Sequence, residues 1–225
     1  YVVQPGDSLS SIAARFNDDG VTALYHALLM PTLAMDVDGR YRGLDAQIHD
    51  AVGFRYYTDF SLWDTYRTLH PFLTLVYPET QLDFLRSLAA MAADGGAMPR
   101  WPLGIGYTGG MVGDPAAIVM ADSWVKGITD FDLRGSYDAL RRSAFGVASP
   151  EFEGRGNAEI YDRLGYVPVE AGGGSTSQTL EFAYADFAMA ILADALGEGA
   201  DAARFRERAL PSAYQSCQRS SRPAT

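Results

Sequence analysis

The chain has 225 residues, enough for one large domain or two small ones. Hydrophobic residues make up 48% of it, which can supply a core, and no stretch is apolar enough to span a membrane. A net charge of -10 argues against a nucleic-acid partner, because basic surfaces bind the phosphate backbone. Cys217 is the single cysteine, which excludes an intrachain disulfide and a cysteine metal cluster.

The opening segment predicts a small αβ unit. A strand from Tyr1, a turn at Pro5-Gly6 and a helix that buries Leu9, Ile12 and Phe16 account for residues 1–17. The segment resembles the first half of a LysM module, a small fold that binds glycans containing N-acetylglucosamine. Half a module cannot bury its own core, so glycan binding by this segment is a weak hypothesis.

Residues 21–60 predict one helix and then an irregular region. Residues 21–30 form an amphipathic pattern with Leu24, Ala27 and Leu28 facing inward, and Pro31 ends it. We expect a loop or β-hairpin excursion near 36–60. Its Asp36-x-Asp38-Gly39 sequence lacks the later ligands of a calcium loop and is interpreted as a turn.

A helix from residue 62 to 77 is the centre of the sequence pattern. One of its faces is apolar, and a second face carries Trp63, Arg67, His70 and Thr74. Ser61 fits an N-cap with Asp64 as its capping-box partner, although Asp64 could instead be a ligand-binding carboxylate. Pro71 has no N–H for the carbonyl of Arg67, so the helix should kink there or end and restart.

Helical periodicity continues beyond this point. The predicted helices are 62–77, 79–93, 115–127, 132–143, 158–164, 178–196 and 201–210. Asp114 is expected to cap the third, and Ser175, Thr176 or Ser177 the sixth. If paired helices form a ring, the first, third and sixth are parallel inner helices. Asp64, Asp114 and Glu181 would then meet at one rim, where they could bind a neutral polyol or a cation with oxygen ligands.

Seven stretches, in one collinear order, carry a family resemblance. They are 22–26, 36–43, 60–67 with His70-Pro71, 98–102, 111–114, 164–168 and 179–186. Over about residues 21–210 they resemble the catalytic module of glycoside hydrolase family 92, which comprises calcium-dependent exo-acting α-mannosidases. The resemblance implies a β-sandwich followed by an (α/α)6 toroid, with terminal mannose held between them.

The implied organisation is a mostly α, partial (α/α)6 toroid of about half the helical barrel. Residues 1–18 are the half LysM-like segment, 19–210 the toroid domain, and 211–225 an unstructured tail. The β-sandwich and the remaining toroid helices would normally complete the fold. The family implies a secreted, periplasmic or cell-surface location, although no signal peptide is visible at Tyr1.

The resemblance also implies the site. Trp63 and Asp64 would hold the terminal mannose of a glycan. The plausible further substrate-binding residues are Arg100, Trp101, Asp114 and Glu181. The family inverts the anomeric centre with one acid and one base.

In family members the motifs that carry the acid, the base and the calcium ligands lie downstream of the position of Glu181, and the resemblance to them is missing before Thr225. No catalytic residue or metal ligand can therefore be assigned here, and we expect the chain alone to be inactive. The alternative is a non-catalytic glycan-binding protein that keeps the sugar subsite. Linkage preference stays open.

Overall fold

The structure, a computed structural model, describes residues 20–146 and 154–210. Helices dominate it, as predicted, and three two-stranded antiparallel sheets accompany them. The LysM-like segment and the predicted C-terminal tail lie outside the described residues. No helix in the part of the chain that is described has the length and apolarity needed to cross a membrane.

The first part is a short helix followed by hairpins, which confirms the excursion expected near 36–60. Its elements are α1 (Gly20–Ala27), β1 (Thr32–Leu33), β2 (Arg40–Arg42), β3 (Ile48–Asp50) and β4 (Tyr57–Thr58). Strand β1 pairs with β4, and β2 with β3. The turn at Asp36 is confirmed, because Gly39 donates its N–H to the Asp36 carbonyl at 3.0 Å. Helix α1 ends before the predicted residue 30, and Leu28 is 43% exposed instead of facing inward.

The β2–β3 hairpin is fixed by aromatic stacking and one carboxylate. Tyr41 stacks on Tyr56 at a centroid distance of 3.8 Å, and its hydroxyl donates to Asp94 at 3.0 Å. Gly43 lies so close that a Cβ there would be 2.7 Å from Asp94 Oδ2 and 2.8 Å from His49 Cδ2. A side chain at this position would therefore require the Asp94 and His49 side chains to shift.

The predicted 62–77 helix is interrupted, as Pro71 required. It ends as α2 (Leu62–Thr65) and restarts as α3 (Leu69–Val76), with residues 66–68 in a turn. The predicted capping box is wrong in detail. Ser61 occupies the N-cap position without a side-chain cap bond, and its hydroxyl instead donates to the Asp64 carboxylate.

The remaining helices agree with the sequence pattern to within a few residues. They are α4 (Pro78–Gly95), α5 (Pro115–Val125), α6 (Leu133–Ala144), α7 (Ala158–Leu164), α8 (Ser175–Ala195) and α9 (Gly199–Arg208). The hairpin of β5 (Pro102–Leu103) and β6 (Gly106–Tyr107) precedes α5, and a 3-10 turn at Val169–Ala171 precedes α8. The capping prediction for α8 is wrong, because its N-cap is Gly174, which has a left-handed φ of 75°.

One large core joins all of these helices except α7, whose Tyr161 packs with Val167 and Phe182 in a smaller cluster. Fully buried members include Leu62, Leu85, Leu88, Met120, Met189 and Phe205. Helices α5 and α8 run in the same direction. A Cβ at Gly113, before α5, would lie 3.0 Å from Glu181 Cβ, while one cavity of about 170 Å³ borders both 118–125 and 184–191. The predicted parallel arrangement of these two helices is confirmed.

A buried polar relay ties α3 and α4 to α5. His70 Nδ1 donates to Gln81 Oε1 at 3.0 Å, and Gln81 Nε2 donates to Ser123 Oγ at 3.0 Å. His70 and Gln81 are 1% and 0% exposed, and His70 Nε2 has no hydrogen-bond partner among residues 20–146 and 154–210. Burial lowers the pKa of His70 to about 4, so the folded protein holds the ring neutral.

This relay predicts loss of stability in mild acid. Between pH 7 and pH 4.5 the His70 side chain binds a proton in the unfolded state, where its pKa is about 6.5, and stays mostly unprotonated in the folded state. Stability that is fully present above pH 6.5 should fall by roughly 2–3 kcal/mol from this group. In urea unfolding at the two pH values, the His70→Phe variant should lose less than the parent by that amount. An equal loss in both proteins would contradict the assignment.

Candidate functional site

Just after α2 ends, the side chain of Arg67 lies between two aromatic rings and a carboxylate. The Arg67 guanidinium lies over the rings of Trp63 and Tyr66, with Cζ 4.4 and 4.5 Å from the centroids. Its Nη2 donates to Glu181 Oε1 at 3.0 Å. Because the Arg67 side chain is 44% exposed, the ion pair is worth at most about 1 kcal/mol. Its main effect is to orient the three groups, which we call the Trp63–Arg67–Glu181 cluster.

Two polar groups at this cluster keep hydrogen-bonding capacity that the described residues do not use. Trp63 Nε1 is buried and has no hydrogen-bond partner in the described part of the chain. Asp64 is exposed, and its carboxylate accepts from the Ser61 hydroxyl. Both residues lie on α2, which ends at Thr65 before the turn at residues 66–68.

Arg100 and Trp101 lie on the loop before the β5–β6 hairpin. Arg100 Nη2 donates to the Gly109 carbonyl at 3.2 Å, whereas its Nε is buried without a partner within the described ranges. The Trp101 ring packs on Gly110, where a Cβ would be 2.9 Å from Trp101 Cε3. Arg100 also borders a cavity of about 470 Å³ whose wall includes Gly113, next to Glu181.

Asp114 occupies a different environment from the other predicted residues. It is 3% exposed and stands at the N-cap of α5, but no side-chain cap bond forms, contrary to prediction. Its Oδ1 accepts from the Ser143 hydroxyl at 2.8 Å, and its Oδ2 accepts from Arg155 Nε at 2.6 Å. Both oxygens are therefore engaged inside the protein, which favours a structural role over the predicted contact with substrate.

A buried ion network surrounds Asp114, and sequence reasoning missed it. Arg155, which is 3% exposed, also donates from Nη1 to Asp186 Oδ1 at 2.6 Å, and Arg208 Nε lies 2.9 Å from Asp186 Oδ2. Burial alone would lower the pKa of Arg155, but the carboxylates of Asp186 and Asp114 raise it above its ordinary value. The sequence offered one signal: Asp186 is a lone acid on the otherwise small and apolar face of α8.

The structure thus brings some predicted residues together and separates others. Trp63 and Glu181 meet through Arg67, and Arg100 reaches the same region through the cavity wall at Gly113. Asp64 lies beside Trp63 in sequence, but its carboxylate accepts from Ser61, and Asp114 is directed into the core. Trp101 contacts residues of its own loop: its ring packs on Gly110, and its carbonyl accepts from the Thr108 N–H at 3.2 Å.

Comparison with known proteins assigns the family. The model of the glycosyl hydrolase family 92 catalytic domain matches residues 20–216, which is most of the chain. The chain belongs to glycoside hydrolase family 92. A LysM domain model matches residues 1–25, in agreement with the resemblance of the opening segment, and nearly all of that match precedes the described residues.

Solved structures of family 92 enzymes share this fold. A family 92 α-mannosidase of Bacteroides thetaiotaomicron, solved in complex with mannoimidazole, is 39% identical, with a TM-score of 0.76 over 84% of this chain. A family 92 inverting mannosidase of the same bacterium is 33% identical, with a TM-score of 0.77 over 86% of this chain. An uncharacterised secreted glycosidase of the fungus Arthroderma benhamiae is 34% identical over 97 residues, 38% of this chain.

The match covers only part of each relative. The chain spans 24% and 26% of the two bacterial structures. It spans 12% of the fungal protein.

Calcium, which the family resemblance implies, does not fit the residues that are described. In residues 20–146 and 154–210, no three histidine, cysteine or acidic side chains come together in a way that could hold a metal ion. Two of the predicted acids are already paired, Glu181 with Arg67 and Asp114 with Arg155. We therefore derive no step through a metal from these residues.

Removing Arg155 should be costly. In the Arg155→Leu variant the buried carboxylate of Asp114 loses its guanidinium partner and that of Asp186 keeps Arg208 alone, so we expect the free energy of unfolding at pH 7 to fall by about 3–5 kcal/mol. The matched control is Arg134→Leu, whose ion pair with Glu198 is about half exposed on both sides and should cost less than about 1 kcal/mol. Similar losses in the two variants would contradict a central role for Arg155.

Proposed function

We propose that this chain supplies the rim that holds a terminal α-linked mannose in a family 92 glycosidase. The observation that carries the proposal is the Trp63–Arg67–Glu181 cluster, in which an arginine is fixed between two aromatic rings and a carboxylate. The two matched bacterial structures are an α-mannosidase and an inverting mannosidase, which supports mannose as the sugar.

The groups at this rim suit a neutral sugar. Aromatic rings offer an apolar face to the C–H side of a pyranose, while carboxylates and guanidinium N–H groups bond its hydroxyls. Trp63 provides the ring and an N–H without a protein partner in the described residues. We assign Asp64 to accept from sugar hydroxyls and Arg100 to donate to a sugar oxygen. Glu181 holds Arg67 in position.

The roles of the other two predicted residues are less direct in this proposal. Trp101 supports the Arg100 loop through its packing on Gly110. Asp114 anchors the start of α5 through Arg155 and so positions Gly113 behind Glu181. Neither residue is given a contact with the sugar.

Hydrolysis with inversion needs more than this rim. An acid and a base must flank the glycosidic bond, with carboxyl groups roughly 6.5–9.5 Å apart to admit a water. No such pair can be assigned among the described residues, and both buried acids, Asp114 and Asp186, are paired with Arg155. We propose that the acid, base and calcium ligands belong to other parts of the complete enzyme, and that it is exported, as the secreted fungal relative is.

The proposal predicts binding without turnover. The 225-residue chain should bind methyl α-mannoside weakly and should hydrolyse an aryl α-mannoside at background rate, with calcium or with a chelator. Loss of general acid catalysis alone costs about 10²–10⁴-fold. Asp64→Ala should lower mannoside affinity about tenfold, which is the loss of roughly 1.4 kcal/mol. Glu207→Ala, an exposed acid on α9, is the matched control.

Two results would contradict it. Calcium-dependent turnover well above background would show that the chain contains an acid-base pair that we have not assigned. Mannoside affinity unchanged in Asp64→Ala would place the sugar elsewhere. A non-catalytic glycan-binding protein would also bind without turnover. To distinguish that alternative, the chain is joined to the other parts of a family enzyme and the product is assayed for hydrolysis.

A further inference from the structure

Two hydrogen bonds tie the tip of the β5–β6 hairpin to the end of strand β4. The Thr58 hydroxyl donates to the Gly104 carbonyl at 2.7 Å, and the Gly104 N–H donates to Asp59 Oδ1 at 2.7 Å. These bonds span 46 and 45 residues of sequence, so they are tertiary contacts. Leu103 and Ile105, on either side of Gly104, are both more than half exposed, so packing contributes little at the tip. The two bonds, which we call the Asp59 clamp, therefore fix where the tip lies.

The backbone at Asp59 has an uncommon conformation. Its φ is 60°, in the left-handed region that residues other than glycine seldom adopt and that aspartate tolerates better than most. An aspartate in a turn commonly bonds the backbone two residues further along the chain. Asp59 accepts from the distant Gly104 N–H, in a charge-assisted bond of the short and strong kind. An unfavourable backbone conformation that is kept for a tertiary contact indicates a role beyond the turn itself.

One side of the Asp59 clamp leads directly to the Trp63 end of the rim. Phe60 follows Asp59 and is fully buried, so the chain is anchored in the core at that point. Helix α2 then begins at Leu62, which is also fully buried, and carries Trp63 and Asp64. The position of Asp59 relative to Trp63 is therefore set by packing.

The other side of the Asp59 clamp leads along the hairpin to Arg100. Strands β5 and β6 pair from the tip to the base, where the Trp101 carbonyl accepts from the Thr108 N–H at 3.2 Å and from its hydroxyl at 2.9 Å. Arg100 adjoins this base, and its Nη2 donates to the Gly109 carbonyl at 3.2 Å. Its Nε is buried without a hydrogen-bond partner among the residues that the structure describes, so it is available to a ligand oxygen.

We propose that Asp59 is a positioning residue of the rim, which sets the place of Arg100 relative to Trp63 through its bond to Gly104. Asp59 has no contact with the sugar in this proposal. The inference rests on the function proposed above, because it needs a mannoside that Arg100 helps to bind. Loss of the bond releases the hairpin tip, and a donor displaced by even about 1 Å contributes much less to binding.

The test is a double-mutant cycle on the full chain, with affinity for methyl α-mannoside measured by ligand-observed NMR. Asp59→Gly removes the carboxylate but suits the left-handed backbone, so it should lower affinity about fivefold. Asp59→Asn keeps an acceptor oxygen and tolerates the same backbone, so its affinity should lie within about twofold of the parent. In the Arg100→Ala background, Asp59→Gly should have no further effect, because it acts through Arg100.

Asp132→Gly is the matched control for a general loss of stability. Asp132 Oδ1 also accepts a backbone N–H, from Gly135 at 2.9 Å, but it caps α6, beyond the end of α5 that is remote from the rim. Mannoside affinity should be unchanged in this variant. A measurement without ligand accompanies it: exchange of the Gly104 amide hydrogen should be faster in Asp59→Gly than in the parent or in Asp59→Asn.

Several results would overturn the inference while the mannose rim stands. These are unchanged affinity or unchanged Gly104 exchange in Asp59→Gly, and an equal loss of affinity with and without Arg100. A loss in Asp59→Asn or in Asp132→Gly as large as that in Asp59→Gly would do the same. If the parent chain bound no mannoside, the proposed function would fail and this inference with it.

Discussion

The buried guanidinium of Arg155 is the interaction on which the rest of this structure depends. It neutralises one carboxylate at the start of α5 and one in the middle of α8, both almost inaccessible to solvent. Its own backbone N–H donates to the Ser143 carbonyl on α6 at 3.2 Å. Arg208 extends the network from α9, since it pairs with Asp186 and donates to the Ala144 carbonyl. Four helices therefore meet at one set of charges, and loss of Arg155 would leave the buried carboxylate of Asp114 without its guanidinium partner.

That network fixes the positions of the residues to which we assign sugar binding. Asp114 fixes the first residue of α5, and hence Gly113, whose lack of a side chain lets Glu181 approach. Glu181 then holds Arg67 on the Trp63 ring. The exposed Arg67–Glu181 pair contributes little to stability, whereas breaking the buried Asp114–Arg155 pair would be costly. The geometry of the exposed cluster therefore depends on the core.

Local signals predicted the helices well and the side-chain partners poorly. Periodicity placed 79–93 inside a helix that spans Pro78–Gly95, and Pro71 correctly indicated a broken helix. Ser61 and Asp114 are residue types that favour helix N-caps, and both occupy N-cap positions. Their side chains nevertheless bond other side chains, because such contacts compete with capping. Arg155 stands between two glycines with no periodic pattern around it, so its burial follows only from carboxylates 41 and 31 residues away.

The rim and the exposed face of α8 differ in whether their side chains already have partners in this chain. At the rim, the charged groups have partners within residues 20–146 and 154–210, so a sugar site there depends on packing that this chain already contains. Along α8, by contrast, Leu180, Tyr184 and Phe187 form an apolar stripe at helical spacing and are 59%, 47% and 53% exposed. In the proposed function, sugar binding therefore depends on the ion network, while the stripe lies on a different face of α8. On that proposal mannose affinity can be measured separately from hydrolysis, because the groups assigned to bind the sugar take their positions from the core of this chain.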